Sequence, residues 1–323
     1  MKIYGNVEMV VKKIEQITEN VKRFYLYPTT NDKPLPAFTG GSHITTYVKD
    51  GDEVIERQYS LVSPPLERSH YSISIRRDDH SRGGSVFWHD RIQEGSHVTV
   101  SLPKNHFTLT YRAKHHVFYA AGIGITPFLT MMEDLERDGK TFELHYAART
   151  KELCAYYDYL NEKYPGKCTF YFSRDEKPIR MTPDTMVNHQ IGSHVYFCGP
   201  VKMVTEFKEA AKTFGYPEKS IHFELFAAVE GPRHPFVVEL VQSKKVLEVT
   251  PDQTLLEALL QEGIDAPYSC KAGGCGQCEL EVVAGEIDHR DIFFSDEERQ
   301  ERSIILSCCS RAKEGEEKLV LNV

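Results

Sequence analysis

The sequence predicts a multidomain protein: an all-β barrel or sandwich, then an α/β domain with a parallel sheet, then a smaller unit of strands and a helix. Residues 1–111 have the pattern of short strands and turns, and the period changes from His116 to strands alternating with amphipathic segments. A polar stretch at Val229–Pro235 has the composition of a linker. We therefore expect domains at residues 1–111, 112–228 and 236–323, joined through 229–235.

Each domain has its own elements. The first has predicted strands at Val7–Ile14, Val21–Tyr27, His43–Val48, Ile55–Leu61, Tyr71–Arg76 and His97–Leu102. The second alternates strands at His116–Ala121, Phe142–Ala148 and His194–Cys198 with helices at Pro127–Arg137, Glu152–Lys163 and Val201–Phe214. The third begins with a hairpin of Phe236–Gln242 and Lys245–Thr250, followed by a helix at Thr254–Glu262 that starts near Asp252 or Thr254.

Composition and charge exclude several classes of protein. The chain has 323 residues, of which 41% are hydrophobic, so it can fill more than one core. It has no apolar run of about 18 residues and no signal-peptide pattern at its start, so we expect a cytoplasmic protein with no membrane partner. A net charge of -8 also argues against nucleic acid.

The negative charge is concentrated at one end of the chain. From Phe236 onward there are 18 acidic and 9 basic residues, a net charge of -9, while the rest of the chain is close to neutral. The C-terminal segment is therefore the predicted electrostatic docking surface.

Five of the eight cysteines cluster in that segment. Cys270, Cys275 and Cys278 have the C-x4-C-x2-C spacing of plant-type [2Fe-2S] ferredoxins, and a further cysteine, Cys308, follows after 29 residues. The intervening glycines let backbone N–H groups approach the sulfur atoms. A zinc site with four cysteine ligands is the alternative, but such sites favour two C-x2-C pairs and only one is present.

The fourth ligand of this cluster is ambiguous from spacing alone. Cys308 and Cys309 are adjacent, and neighbouring side chains of an extended chain point in opposite directions. Only one of the two can therefore reach the metal.

Two short motifs in the first domain fit a flavin. In Arg57-Gln58-Tyr59-Ser60, a tyrosine ring can pack on the flavin, a serine hydroxyl can hydrogen-bond to it, and an arginine can pair with a phosphate. Ser81-Arg82-Gly83-Gly84-Ser85 is a glycine-rich turn into a helix and could hold that phosphate. Each motif alone is also compatible with ordinary strand packing or an ordinary loop.

Two glycine-containing turns in the second domain fit a nucleotide. Gly122-Ile123-Gly124-Ile125-Thr126-Pro127 lies between a predicted strand and a predicted helix, and lacks the third glycine of the common dinucleotide fingerprint. Cys198-Gly199-Pro200 repeats the arrangement after the last long strand. Together the turns predict a cleft at the carboxyl edge of the sheet, although each alone could be a tight turn.

The order of these motifs resembles that of the phthalate dioxygenase reductase family across essentially the whole chain. The motifs are, in order, R-x-Y-S, S-R-G-G-S, G-I-G-I-T-P, C-G-P and C-x4-C-x2-C…C. The stretches PLPAFTGGSH, DHRDIFFSDEER and CCSRAK look most like reductase subunits of two-component Rieske monooxygenases acting on carnitine or betaine-type substrates. The resemblance implies an FMN-binding β-barrel, a doubly wound NADH-binding α/β domain and a C-terminal β-grasp ferredoxin domain.

The resemblance also implies roles for individual residues. The flavin would be held by Arg57, Tyr59, Ser60 and the backbone of Ser74, Ile75 and Arg76, its phosphate by Arg82, Gly83, Gly84 and Ser85. Thr126 would approach the flavin ring, and Phe226 would cover the face where the nicotinamide enters. The nicotinamide nucleotide would be bound by Gly122, Gly124, Arg149, Cys198 and Gly199. Because the family's last cysteine precedes x-S-R-A, the cluster ligands would be Cys270, Cys275, Cys278 and Cys308.

These cofactors together predict the function. NADH gives up two electrons as a hydride whereas an iron–sulfur cluster accepts one, and flavin converts between the two modes. We therefore expect an NADH-dependent reductase that passes electrons to a Rieske-type oxygenase through a transient, electrostatic encounter. Alternatives are the reductase of another oxygenase, a free-standing flavin reductase and a redox-sensing iron–sulfur protein. Because no acid or base is required, we expect His115 and His116 to be solvated loop residues.

Overall fold

The computed structural model describes residues 5–30, 33–51, 53–81 and 83–323. The described residues divide into two compact units, one up to residue 199 together with 206–223, and one of 200–205 with 224–323. The first unit contains two sheets and the second contains a third sheet with a short strand pair.

An antiparallel sheet of six strands opens the first unit. Its elements are β1 (Asn6–Thr18), β2 (Val21–Pro28), β3 (His43–Asp50), β4 (Glu53–Ser60), β5 (Tyr71–Arg76), helix α1 (Gly84–Asp90) and β6 (His97–Ser101). The strand order is β4-β3-β6-β1-β2-β5. Apolar residues at alternate positions of β2 face inward, and the Trp88 ring of α1 meets Phe24 edge-on at 4.9 Å. This packing makes α1 part of the barrel core.

The second sheet of this unit is built from strands joined by helices. Its elements are β7 (His115–Ala121), α2 (Thr126–Arg137), β8 (Phe142–Ala148), α3 (Tyr157–Lys163), β9 (Cys168–Phe172), β10 (Ser193–Cys198), α4 (Val201–Thr213) and β11 (Ile221–Glu224). The order is β11-β10-β7-β8-β9, and β10, β7, β8 and β9 pair in parallel. The order reverses between β7 and β10, and ligands of such sheets bind beyond the carboxyl ends of strands at that point.

Two sequence predictions in this sheet are wrong. The helix expected from Glu152 begins only at Tyr157, because Tyr156 has φ 65° and a left-handed residue cannot continue a right-handed helix. His115 and His116 are not solvated loop residues but the first two residues of β7. His116 is fully buried, with its Nε2 3.0 Å from the Thr110 carbonyl.

The second unit contains a mixed five-stranded sheet with a helix packed on it. Its elements are β12 (Phe236–Leu240), β13 (Lys245–Val249), α5 (Leu255–Gln261), β14 (Glu279–Ala284), β15 (Ile287–Asp288), α6 (Asp296–Glu301), β16 (Ile304–Leu306), β17 (Arg311–Ala312) and β18 (Lys318–Leu321). The order is β13-β12-β18-β14-β16, with β15 and β17 as a separate pair. Leu255 and Leu259 of α5 belong to the same buried cluster as the apolar residues of these strands.

The helix α5 shows how sequence sets an element's start. Thr254, rather than Asp252, is the N-cap, and its hydroxyl accepts from the Glu257 backbone N–H while the Glu257 carboxylate accepts from the Thr254 N–H. The helix is followed by Gly263 at φ +74°, a conformation that glycine adopts without strain. In the part of the chain that the structure describes, no helix has both the length and the apolar character needed to cross a membrane.

Because His43 is buried in the barrel, the folding stability of the protein should depend on pH. The His43 side chain is 4% exposed, both ring nitrogens lack hydrogen-bond partners, and burial, then His106 and Lys104, lower its pKa to about 4. Between about pH 6.5 and 4 the unfolded chain therefore binds a proton that the folded chain does not, so folding stability falls as the pH falls. At pH 5 the loss from this residue is about 2 kcal/mol.

The effect can be measured by urea unfolding followed through the fluorescence of Trp88, the single tryptophan of the chain. His43→Phe should reduce the loss of stability between pH 7 and pH 5, whereas the exposed His97→Gln in β6 should not. Equal pH dependence in wild type and His43→Phe would contradict the assignment.

Candidate functional site

Strand β4 carries the first group of predicted flavin residues. The Tyr59 ring meets Trp88 of α1 edge-on at 5.9 Å, and burial raises the pKa of its phenol. The Ser60 hydroxyl is buried and has no hydrogen-bond partner. A buried hydroxyl without a partner costs free energy unless a ligand supplies one, so Ser60 fits a flavin-binding role.

The start of α1 lies directly against Arg57. A Cβ on Gly84 would lie 2.6 Å from the Arg57 Nε, so a larger residue there would have to displace the Arg57 side chain. Gly83 has φ +78°. The Ser85 hydroxyl accepts from the Asp78 backbone N–H at 3.1 Å, and Arg82 lies outside the described residues. The two predicted flavin motifs are therefore neighbours in space.

A cavity of about 410 Å³ adjoins these residues and is lined by Arg57 and Gly83. Its wall also holds the carboxylates of Asp50, Glu53 and Asp90. Arg91 also lines the cavity. An anionic group would be repelled by the acids, so a phosphate fits best near the basic Arg57 and Arg91 and the turn at Gly83.

Strand β5 connects the barrel to the α/β sheet. The Ser74 hydroxyl hydrogen-bonds to the hydroxyl of Tyr156, the residue with left-handed backbone before α3. The Ile75 carbonyl is 2.9 Å from His89 Nε2, and Arg76 Nη1 lies 3.4 Å from where a Cβ of Gly122 would be. Strand β5 thus reaches the turn that follows β7.

The turn after β7 approaches the end of β10 closely. Gly122–Ile125 form a 3₁₀ turn, and a Cβ on Gly124 would lie 2.2 Å from the Cys198 carbonyl oxygen and 2.8 Å from the Gly199 nitrogen. Thr126 starts α2, is 2% exposed, and donates its hydroxyl to the Ile123 carbonyl at 2.9 Å. The Cys198 side chain is fully buried. Glycine at position 124 lets the two turns meet at the strand-order reversal.

A second cavity of about 290 Å³ opens beside this turn. Its wall includes Arg76, Gly122 and Arg149, together with Arg77 and His80. Arg77 pairs with Asp79 at 2.7 Å and with Asp90 at 2.5 Å, so its charge is already compensated. Arg76 and Arg149 are therefore the better candidates to pair with phosphate groups of a nucleotide.

In the second unit, three of the predicted ligand cysteines lie in the segment between α5 and β14, and the fourth follows β16. The Cys270 thiol interacts with Cys275 and the Cys278 thiol with Cys308, and Cys270 also interacts electrostatically with Cys278 and Cys308. Ser307 anchors the last cysteine, since its N–H donates to the Cys278 carbonyl at 3.1 Å. Thiols 30 positions apart in sequence, those of Cys278 and Cys308, are thus brought together.

The shifted pKa values of these thiols are consistent with a metal centre. The hydrogen bond with Cys275, aided by backbone N–H groups of Ala272 and Gly274, lowers the pKa of Cys270 to about 6. The pKa values of Cys275 and Cys278 are raised well above the usual range, because each hydrogen-bonds to another thiol and is buried. Buried, crowded thiols of this kind ionise together only when a metal provides positive charge.

The loop around the thiols depends on glycine. Gly273 and Gly276 both have φ +73°. A Cβ on Gly273 would lie 2.8 Å from Cys309 Sγ, and one on Gly276 would lie 2.5 Å from the Phe293 ring. The Ile292 N–H donates to the Gly273 carbonyl at 3.3 Å, so the segment around Ile292 braces the loop.

Phe226 follows β11 in the second unit. Its ring is 46% exposed, whereas the preceding Leu225 is 4% exposed and packs 3.7 Å from where a Cβ of Gly274 would be.

Three family models match successive parts of the chain. They describe an oxidoreductase FAD-binding domain at residues 8–109, an oxidoreductase NAD-binding domain at 118–209 and a 2Fe-2S iron-sulfur cluster binding domain at 238–313. The structure of phthalate dioxygenase reductase superposes with a TM-score of 0.79 and 32% identity, covering 99% of this chain and 98% of that one. The chain belongs to the phthalate dioxygenase reductase family. The flavin-binding barrel, nucleotide-binding α/β domain and ferredoxin domain predicted from sequence are confirmed.

Members of the phthalate dioxygenase reductase family with curated functions are similar along their full length. The carnitine monooxygenase reductase subunit of Escherichia coli (strain K12) is 38% identical over 97% of this chain and 98% of its own. The vanillate O-demethylase oxidoreductase of Acinetobacter baylyi is 35% identical over 95% of this chain and 96% of its own length. This chain is therefore an oxidoreductase with flavin-binding, NAD-binding and 2Fe-2S domains.

The structure of this phthalate dioxygenase reductase family member also adds a residue that the sequence analysis missed. Tyr156 is partly buried, has left-handed backbone and hydrogen-bonds to Ser74, 82 residues earlier. In the sequence, Tyr156 is one tyrosine within a predicted helix, and nothing in that pattern distinguishes it from other helical residues. Non-glycine residues in this conformation often occur at functional sites.

Proposed function

We propose that this chain is the reductase component of a two-component Rieske-type oxygenase, using NADH, FMN and a [2Fe-2S] cluster. Bound flavin supplies the conversion between hydride transfer and single-electron transfer. The strongest support is the combination, in one chain, of an unpartnered Ser60 hydroxyl, a nucleotide cleft at Gly122 and Gly124, and four converging thiols.

The residues hold and orient these groups. Arg57, Tyr59, Ser60 and the backbone of Ser74–Arg76 bind the flavin. Its phosphate is bound by Gly83, Gly84 and Ser85, together with Arg82, whose role rests on the sequence alone. Gly122, Gly124, Arg149, Cys198 and Gly199 bind the nicotinamide nucleotide, with Thr126 and Phe226 bordering the reacting rings. Cys270, Cys275, Cys278 and Cys308 bind the cluster.

The choice of NADH over NADPH follows from the loop after β8. A 2′-phosphate needs several basic groups there. Arg149 lines the nucleotide cavity, but Lys151 Nζ lies 4.6 Å from the centre of the Tyr157 ring and is held by a cation–π contact. Arg149 is therefore the main basic side chain of this loop available to a 2′-phosphate, and the acidic Glu152 lies three residues further along the chain.

A spectroscopic experiment tests the proposal. The purified protein should show flavin and iron–sulfur absorbance, both bleached by NADH without oxygen, and NADH should outperform NADPH in kcat/KM by about tenfold, the effect of roughly one charged hydrogen bond. Boiling should release FMN, because the helix start at Gly83, Gly84 and Ser85 suits a terminal phosphate and the sequence of the first domain shows no evident adenine-binding element. Release of mainly FAD would refute the FMN assignment, and a cluster that NADH cannot reduce would refute the reductase.

Delivery of electrons to the oxygenase should depend steeply on salt. The ferredoxin domain carries a net charge of -9 before the cluster is added, and a small transient encounter is steered by charge more than by buried area. The Debye length falls from about 10 Å at 0.1 M salt to about 3 Å at 1 M. Stopped-flow measurements should therefore show slower oxygenase reduction at high salt, with little change in flavin reduction by NADH.

Helix α6 offers the variants for this test. Asp296 and Glu297 are exposed, whereas Glu298 closes the capping box with Ser295 and is left intact. Asp296→Asn with Glu297→Gln should slow oxygenase reduction more than Glu314→Gln with Glu317→Gln, a control that removes the same charge elsewhere in the domain. Equal effects would mean that net charge, and not this helix, steers the partner; no effect in either would show that the acidic surface has another purpose.

A further inference from the structure

Three histidines and a glutamate meet at the amino edge of the α/β sheet. His115 opens β7, Glu143 and His145 are the second and fourth residues of β8, and His189 lies in the segment before β10. Residues two apart on a strand point to the same face, so β8 presents Glu143 and His145 together. The nucleotide turns lie at the opposite, carboxyl edge, so none of these residues belongs to the site described above.

The four side chains converge on one carboxylate oxygen. Glu143 Oε1 lies 3.1 Å from His189 Nε2, 3.7 Å from His145 Nε2 and 3.9 Å from His115 Nε2. One candidate ligand atom from each of Glu143, His145 and His189 lies within 4.8 Å of the other two. The rings are well enclosed, with side chains 12% exposed for His145 and 8% for His189, whereas Glu143 is 38% exposed.

The other nitrogen of each ring is held by a hydroxyl group. His189 Nδ1 lies 2.7 Å from the Tyr216 hydroxyl, and His145 Nδ1 lies 2.8 Å from the Tyr171 hydroxyl. His145 also stacks on Tyr119 at 4.8 Å between ring centres. Such contacts to the remote nitrogen fix the orientation of histidines that bind metals.

The network around His189 assigns its protons. The Tyr216 hydroxyl donates to the Met186 carbonyl at 2.9 Å, so it accepts from Nδ1–H of His189. In the neutral ring Nε2 then carries a lone pair that faces the Glu143 carboxylate at 3.1 Å. Two acceptors then face each other, and either a second proton on the His189 ring or a metal ion between the two atoms satisfies both. The Tyr119 hydroxyl also lies 3.4 Å from the same Nε2.

We propose that Glu143, His145 and His189 form a Zn²⁺ site, with His115 beside it. Imidazole nitrogens and a carboxylate are ligands that zinc prefers. With metal–ligand distances of about 2.0–2.1 Å, the edges of a tetrahedron are about 3.3 Å, close to the separations of 3.1 and 3.7 Å from Glu143. The exposed side of Glu143 leaves the fourth position for water or for His115.

The place of the site in the fold defines what the metal does. The metal site joins β8 to residues 187–192, the segment that leads into β10. His145 and His189, its ligands from these two parts of the chain, are 44 residues apart in sequence. Ala148 ends β8 five residues after Glu143, which places the site roughly 16 Å from the nucleotide edge. Zinc therefore fastens two elements of the sheet without taking part in electron transfer.

Metal analysis of the holoprotein tests the site. Protein with its flavin and cluster in place is dialysed against micromolar Zn²⁺, and zinc and iron are counted together by mass spectrometry. Wild type should bind about one zinc per chain with its iron content unchanged, and zinc should raise its melting temperature. His145→Gln with His189→Gln should bind zinc at least about tenfold more weakly, the usual range for loss of ligand-shell groups.

Controls separate this site from the cysteines and from misfolding. His97→Gln, an exposed histidine of β6, should bind zinc like wild type. Glu143→Gln keeps the size of the side chain but removes its charge, and it should also weaken zinc binding while NADH still reduces the flavin. Three results would overturn the proposal: no zinc in wild type, equal zinc binding in the folded variants, or zinc that appears only as iron is lost from the cysteines.

Discussion

Cys308→Ser should lose most of the iron–sulfur absorbance, whereas Cys309→Ser should retain it. The Cys308 thiol interacts with Cys278 and with Cys270, so it is turned toward the other ligands. Cys309 Sγ lies 3.8 Å from the Leu306 carbonyl and against Gly273, and its thiol interacts with that of Cys308 but with none of the three other predicted ligands in the interactions given for them. Loss of a thiolate ligand should reduce NADH-dependent cytochrome c reduction about tenfold or more, while NADH still reduces the flavin.

The two serine variants control for each other, because they make the same change at adjacent buried positions. Iron content, visible absorbance and the rate of flavin reduction should be measured for both. A Cys309→Ser protein that loses its cluster while Cys308→Ser keeps it would reverse the ligand assignment. Loss in both would mean that Cys309 is needed to pack the loop at Gly273.

Gly124→Ala should disable the nucleotide cleft. The new Cβ would lie 2.2 Å from the Cys198 carbonyl oxygen and 2.5 Å from its carbon, and backbone atoms cannot move aside as a flexible side chain does. Overpacking of this kind costs about 1–3 kcal/mol of folding stability. A displacement of about 1 Å between the two turns should slow hydride transfer from NADH up to about a hundredfold.

Gly139→Ala provides the matched control. Gly139 has φ +62° but open space around its Cβ position. Alanine there should cost only the backbone strain of about 1–2 kcal/mol and leave the rate of flavin reduction by NADH unchanged. If Gly124→Ala reduces its flavin as fast as Gly139→Ala does, the close approach of the two turns is not needed for NADH binding.

The sequence predicted most elements because their patterns are local. Strand alternation marked the barrel, the change of period marked the parallel sheet, and Thr254 with Glu257 marked the start of α5. The start of α3 was predicted five residues too early, because the left-handed backbone of Tyr156 interrupts an otherwise helical pattern. Its hydroxyl bonds to Ser74 on β5, a long-range contact that no periodicity reports.

The sequence by itself determined the cofactor classes of this protein, since cysteine spacing and glycine-rich turns are short motifs whose chemistry depends on neighbouring residues. Only the tertiary structure decided which distant groups meet. Arg57 lies against Gly84, Gly124 contacts the backbone of Cys198, and His189 faces Glu143, 46 positions earlier in the sequence. The physical reason is that strand pairing and the packing of connecting segments bring together residues far apart in the chain, and local sequence patterns do not record which strands pair or where the connections pack.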